Sequence, residues 1–204
     1  MSFLRSLFGP SKQEIWQQLA HELNARYTDG GLWHKSFVDA SVGEWTVRLD
    51  TYTVSTGKSS ITYTRMRAPY INKDGFQFKI YRKGLFSDMG KFVGMQDIEI
   101  GHPQFDEDFI LQGNNETKVR QLLTNSTIRQ LFDVQPTISL EVKDDDGWLK
   151  PRFPEGVDQL YFQVTGIIKD VDRLKALYDL FAEVLHELTR IGSAYESDPQ
   201  AELR

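Results

Sequence analysis

The sequence predicts an α+β fold: an antiparallel, curved sheet of hairpins with a long C-terminal helix packed on one face. Three observations carry this. Apolar and polar residues alternate in short runs joined by turn residues, over 44–68 and again over 138–164. Apolar residues recur at helical spacing over 170–191. Further helical patterns stand before and between the hairpins. A sheet curved tightly around the long helix, a helix-grip-like fold with a cavity, is the structural alternative.

The first element is a helix over 11–27. Ser11 with Glu14 forms a capping box, and Ile15, Leu19, Leu23 and Tyr27 share one face. Asp29, Gly30 and Gly31 end it. Trp45, Val47 and Leu49 then alternate with Thr46, Arg48 and Asp50. The apolar positions change phase at Tyr52 and Val54, which predicts a bulge or strong twist near Asp50 and Thr51. A turn over 55–58 returns the chain through Ile61, Tyr63 and Arg65. After the turn at 72–75, Phe76, Phe78 and Ile80 mark another strand.

Residues 84–104 carry Gly84, Gly90, Gly94 and Gly101, with a short helix expected around 86–93. A strand is expected from Phe105 to Leu111. Asn114 or Asn115 caps a helix bearing Val119, Leu122 and Leu123. Asn125 or Ser126 caps a second with Ile128, Leu131 and Phe132. Ile138, Leu140 and Val142 open a hairpin whose turn is Asp144 to Gly147; Trp148 starts the return, which reaches Leu160, Phe162 and Val164. The last helix has Asp170 as cap, and its stripe is Val171, Leu174, Tyr178, Phe181, Leu185 and Leu188, widened by Leu177, Val184 and Ile191. Gly192 ends it. The organisation expected is a flexible segment over 1–10, one domain over 11–195, and a flexible tail over 196–204.

Composition narrows the function classes. Of the 204 residues, 40% are hydrophobic and 26% charged, with a net charge of −5. That excludes wholesale disorder, collagen and membrane-embedded chains, and it argues against a specific nucleic-acid partner. The absence of cysteine removes disulfides, thiol catalysis, zinc–thiolate sites and iron–sulfur clusters. No apolar run approaches the ~20 residues of a membrane span, and the start is too short and interrupted for a secretory signal, so a cytoplasmic location is expected. Phe3, Leu4, Leu7 and Phe8 beside Arg5 offer peripheral membrane contact through residues 1–8; a locally docked terminus is the competing reading.

Four places could hold chemistry. The Gly57–Lys58 turn resembles part of a phosphate loop, but Tyr52 stands where the loop needs glycine, and no helix follows. Asp144, Asp145 and Asp146 offer oxygen ligands to a hard cation, without the spacing of a calcium loop. Asp106 and Asp108 would share one face of a strand, a carboxylate pair beside His102 suited to acid–base or metal chemistry. Arg65, Arg67, Lys79 and Arg82, with Tyr63, Tyr70 and Tyr81, would form a basic platform for an anion if their strands are neighbours; the plainer reading is a solvated sheet face. Within 84–104, Phe92, Val93 and Met95 are expected to face a protein partner or second subunit, against the alternative of a satellite core.

The blocks LDTYTVSTGKSSITYTRMRAP (49–69) and GMQDIEIG (94–101) resemble a small bacterial family of unknown function, across nearly the whole chain. His102, Pro103, Phe105, Phe109, Val119, Leu122, Leu123, Thr124, Ile128 and Leu131 resemble a wider bacterial domain family of unknown function, departing from its pattern at His102 and Asn125. Neither resemblance implies an activity. The leading expectation is therefore a non-enzymatic binding or protein-interaction module, acting with a protein partner or as a homo-oligomer and needing no cofactor. The alternatives are a small-molecule or lipid binder, with its cavity between sheet and helix, and a carboxylate- or metal-dependent hydrolase.

Overall fold

The computed structural model describes residues 9–31, 35–55, 57–84, 96–144 and 153–203. Helix α1 (Lys12–Glu22) begins at the expected capping box: Ser11 Oγ accepts from the Glu14 N–H, and the Glu14 carboxylate accepts from the Ser11 N–H. It stops sooner than expected because Asn24 takes a φ of 51°, a left-handed conformation that asparagine tolerates. Tyr27 therefore falls in a strand, β1 (Arg26–Thr28).

Strands β2 (Phe37–Val42), β3 (Trp45–Ser55) and β4 (Ser60–Asn72) follow as a meander, then β5 (Phe78–Arg82) and the short β6 (Gln96–Asp97). Helix α2 (Pro103–Asp108) leads into β7 (Phe109–Gly113). Helices α3 (Glu116–Thr124) and α4 (Ser126–Asp133) precede β8 (Ser139–Lys143) and β9 (Val157–Thr165). Helix α5 (Val171–Arg190) and β10 (Ala194–Tyr195) complete the order. The sheet order is β1-β2-β3-β4-β9-β8-β5-β7-β6, every pair is antiparallel, and β10 pairs with β4. The sheet is open, with β1 and β6 at its ends.

Two expectations about strands need correction. No bulge interrupts β3: its register with β4 runs unbroken from Arg48 opposite Arg67 to Ser55 opposite Ser60. The phase change at Tyr52 records a change in which face carries the apolar groups. The strand expected from Phe105 starts only at Phe109, because Pro103 fills the first turn of α2, where a missing N–H costs nothing. The expected helix at 86–93 and the return from Trp148 lie outside the described residues.

The helices lie on one face of the sheet. There the register aligns Tyr27, Val38, Leu49, Met66, Phe162, Leu140, Ile80 and Leu111 across eight strands. From Val38 onward every member is almost completely buried. Leu174, Leu177, Phe181, Val184, Leu185 and Leu188 of α5 fill the space above them, where the helix-grip alternative needs a cavity. Each such side chain contributes about 1.5–3 kcal/mol by leaving water. The Tyr178 hydroxyl donates to the Val38 carbonyl at 3.0 Å, which fixes the helix over β2. Gly113 has the same packing logic: a Cβ there would meet Val119 Cγ2 of α3 at 2.6 Å.

Candidate functional site

One residue along each strand, the opposite face carries a second row. Arg26, Asp39, Arg48, Arg67, Tyr161, Glu141, Lys79, Gln112 and Asp97 stand in register across nine strands. Its ends are exposed and its middle is buried: Arg67, Glu141 and Lys79 are 4%, 5% and 6% exposed.

Charges at that depth persist only when paired. Asp39 accepts from Arg48 Nε at 2.7 Å and Nη2 at 2.8 Å, and from Arg26 at 2.9 Å. Asp50 accepts two bonds of 2.8 Å from Arg65 and one of 2.6 Å from Arg67. Glu141 lies 3.3 Å from the Lys79 ammonium and 3.2 Å from that of Lys143. Lys143 sits 4.0 Å over the Tyr161 ring, a cation–π contact. Gln163 Oε1 accepts from the Tyr161 and Tyr52 hydroxyls at 2.8 and 2.5 Å. Burial alone would raise the Asp50 pKa; the Arg65 hydrogen bonds and the charges of Arg67 and Arg65 more than offset it, so the carboxyl titrates below its ordinary range.

The basic residues singled out from the sequence are thus divided. Arg65, Arg67 and Lys79 do share a face, but β9 and β8 separate their strands, which are not neighbours. Arg65 and Arg67 both bind Asp50, so the platform is ion-paired. Arg82, three residues beyond Lys79, points to the helix face, where its guanidinium donates to the carbonyls of Gln135 and Asp133 and lies 4.5 Å over the Phe109 ring.

The acidic candidates also separate. In a helix, positions two apart diverge by about 200°, so Asp106 and Asp108 do not share a face. Asp106 accepts from the backbone N–H groups of Ile100, Gly101 and His102 at 2.9, 2.9 and 3.0 Å, tying down the loop before α2. Asp108 lies 3.5 Å from Arg82. His102 is exposed at the helix start and lines a cleft of about 220 Å3 with Arg129 and Asp133. Asp144 is exposed and accepts from Gln77 Nε2 at 2.8 Å. Phe92, Val93, Met95, Asp145 and Asp146 lie outside the described residues. Among the described residues, no group of three or more His, Asp or Glu side chains is placed to hold a metal ion.

Two features escaped sequence reasoning. Residues 196–203, read as a tail, lie back over the charged face. Arg48 Nη1 donates to the Leu203 carbonyl, and a cleft of about 350 Å3 opens between this segment and Arg26, Asp39 and Arg48. The second is a ladder along β3 and β4. On the charged face, the Asp50–Arg65 pair gives way to stacked Tyr52 and Tyr63, centroids 5.0 Å apart, then to Val54 opposite Ile61. Val54 and Ile61 are 43% and 38% exposed. Exposed Ile167 is close by, since the Gly166 N–H donates to the Thr62 carbonyl at 2.7 Å. The signal for this ladder was the phase change at Tyr52.

These features define an open, two-layer α+β protein with helices on one face of its sheet and an ion-paired row on the other. No family model and no curated protein matches the chain. Among solved structures, the mycobacterial trehalose monomycolate transport factor A, TtfA, is similar with a TM-score of 0.46 and 11% identity, covering 86% of this chain and 95% of that one. No described helix is long and apolar enough to cross a membrane.

Proposed function

We propose that the protein is a non-enzymatic interaction module and that it engages a protein partner through the outer end of the β3–β4 hairpin. One observation carries this reading. Three of the five exposed large hydrophobic side chains among the described residues, Val54, Ile61 and Ile167, gather at that end. Val54 and Ile61 extend a stacked tyrosine pair, an arrangement of aromatic and aliphatic groups suited to a protein contact. The candidate catalytic carboxylate Asp106 instead holds backbone N–H groups together.

A photo-crosslinking amino acid in place of Val54, in the full chain in cells, tests the reading. The control replaces Val134, which is exposed at the end of α4. Position 54 is expected to give discrete protein adducts that Ile61→Asp abolishes, while position 134 gives none. Equal labelling from both positions overturns the proposal. Because both sites are exposed, Ile61→Asp should change stability by no more than about 0.5 kcal/mol, which a urea melt checks.

A further inference from the structure

We infer that residues 196–203 form a strap that opens and closes over the charged face while the sheet stays folded, with Arg48 as its latch. The device lies toward the opposite end of β3 from Val54 and does not depend on the reading of the hairpin as a contact surface.

The strap lies outside the strand ladder. The pairing of β10 with β4 ends at Tyr195 opposite Ile71. Beyond it, Glu196 rests against the turn between β2 and β3, where a Cβ on Gly43 would meet Glu196 Oε1 at 2.7 Å. Pro199 is buried, and the chain then returns to the face so that the Leu203 carbonyl accepts from Arg48 Nη1. Strap and strands leave a cleft of about 350 Å3 between them, lined on the strand side by Arg26, Asp39, Thr46 and Arg48.

The latch is set in advance. Asp39 accepts from Arg48 Nε at 2.7 Å and from Nη2 at 2.8 Å, and the guanidinium lies 3.9 Å over the Phe37 ring. Those contacts hold the guanidinium whether the strap is closed or open, so only Nη1 changes partner, from a carbonyl to water. A charged donor on a carbonyl favours the closed state. The bend in the strap opposes it. There the Gln200 N–H donates to Asp198 Oδ1 at 2.8 Å, and Gln200 takes a φ of 52°, a left-handed conformation that is costly for residues other than glycine. The two effects are similar in size, so the closed state leads by about tenfold, far less than the margin that protects a core. Closure withholds Arg48 Nη1 from any other acceptor.

The chain has no cysteine, so Ala201→Cys in the full-length protein places a single thiol in the strap, at a half-buried position lining the cleft. Its labelling rate by a small thiol reagent in the native state, set against its rate in the urea-unfolded chain, should show protection of about tenfold. Adding Gln200→Pro should remove that protection and leave the urea melt unchanged, because proline cannot adopt the positive φ and lacks the N–H that Asp198 holds. Arg48→Lys should remove it too, since one ammonium cannot hold Asp39 and Leu203 together as the guanidinium fork does. A thiol labelled as fast in the native state as in the unfolded chain overturns the inference. So does protection that survives either substitution, a melt shifted by Gln200→Pro, or labelling whose urea dependence matches that of global unfolding.

Discussion

Two register rows cross the same sheet one residue apart on each of eight strands. The row through Leu49, Met66 and Phe162 meets helices; the row through Arg48, Arg67 and Tyr161 carries charge. The backbone is common to both, so the difference lies in how each face satisfies its side chains. The apolar row needs only volume and exclusion of water, which are non-directional. The charged row needs named partners at hydrogen-bond distance, and each member depends on its neighbour. Replacing one residue should therefore leave a cavity on one face and an uncompensated charge on the other.

The largest effect is expected on the helix face. Phe162 is fully buried between Met66 and Leu140, and Phe162→Ala should cost about 4 kcal/mol in a urea melt. A loss below about 1 kcal/mol would mean that the helix layer does not close on that strand. Asp50→Asn should come next, at about 3 kcal/mol, because it strands two guanidinium groups on a single amide. Its effect depends on pH. The folded-state pKa of Asp50 lies below the unfolded value of about 3.9, so its stabilisation is present above that value and is lost as pH falls through the folded pKa. The gap between wild type and variant should narrow in acid; a constant gap down to about pH 2 would break the contrast between the faces.

The smallest effect should have the opposite sign. Asp158 is an acid on the helix face, beyond Leu160 on the same strand, and it accepts from Asn72 Nδ2 at 2.6 Å. Burial raises its pKa despite that bond, and the neighbouring Asp144 adds to the shift. The ionised form therefore carries a penalty at neutral pH, relieved as pH falls through the raised pKa. Asp158→Asn should stabilise the protein by about 0.5 kcal/mol at pH 7, and the gain should vanish below about pH 4. Thermal melts at the two pH values would show it.

Much of the helix face was legible from local pattern. The stripe from Leu174 to Leu188 repeats at the helical period, and Leu140, Val142, Leu160 and Phe162 alternate as a buried hairpin should. The charged face was legible only strand by strand. Arg65 and Lys79 alternate correctly, but strand order is a long-range property, and nothing local shows that β9 and β8 come between them. The phase change at Tyr52 is visible in the sequence, where it predicts a bulge or strong twist; periodicity reports which face is apolar, and here the apolar face switches, with the register unbroken, where β3 outruns β2. Asp106 was misread for a related reason. Alternation of Phe105, Glu107 and Phe109 mimics a strand, while Pro103 and the bonds to the loop N–H groups favour a turn of helix.

The placement of β8 and β9 between β4 and β5 also bears on how the chain assembles. β4 is complete by residue 72 and β5 by residue 82, yet the strands that join them arrive only at residues 139–165. On a ribosome, the early meander and the β5–β7 pair would wait as two separate groups, each presenting an unpaired strand. The sheet closes when its keystone hairpin emerges, and α5, which lies across the finished face, follows at once in the chain. Such non-local closure slows folding and lengthens the time during which strand edges are open to association. Chains stopped before residue 139 would lack that hairpin and leave both groups with open edges.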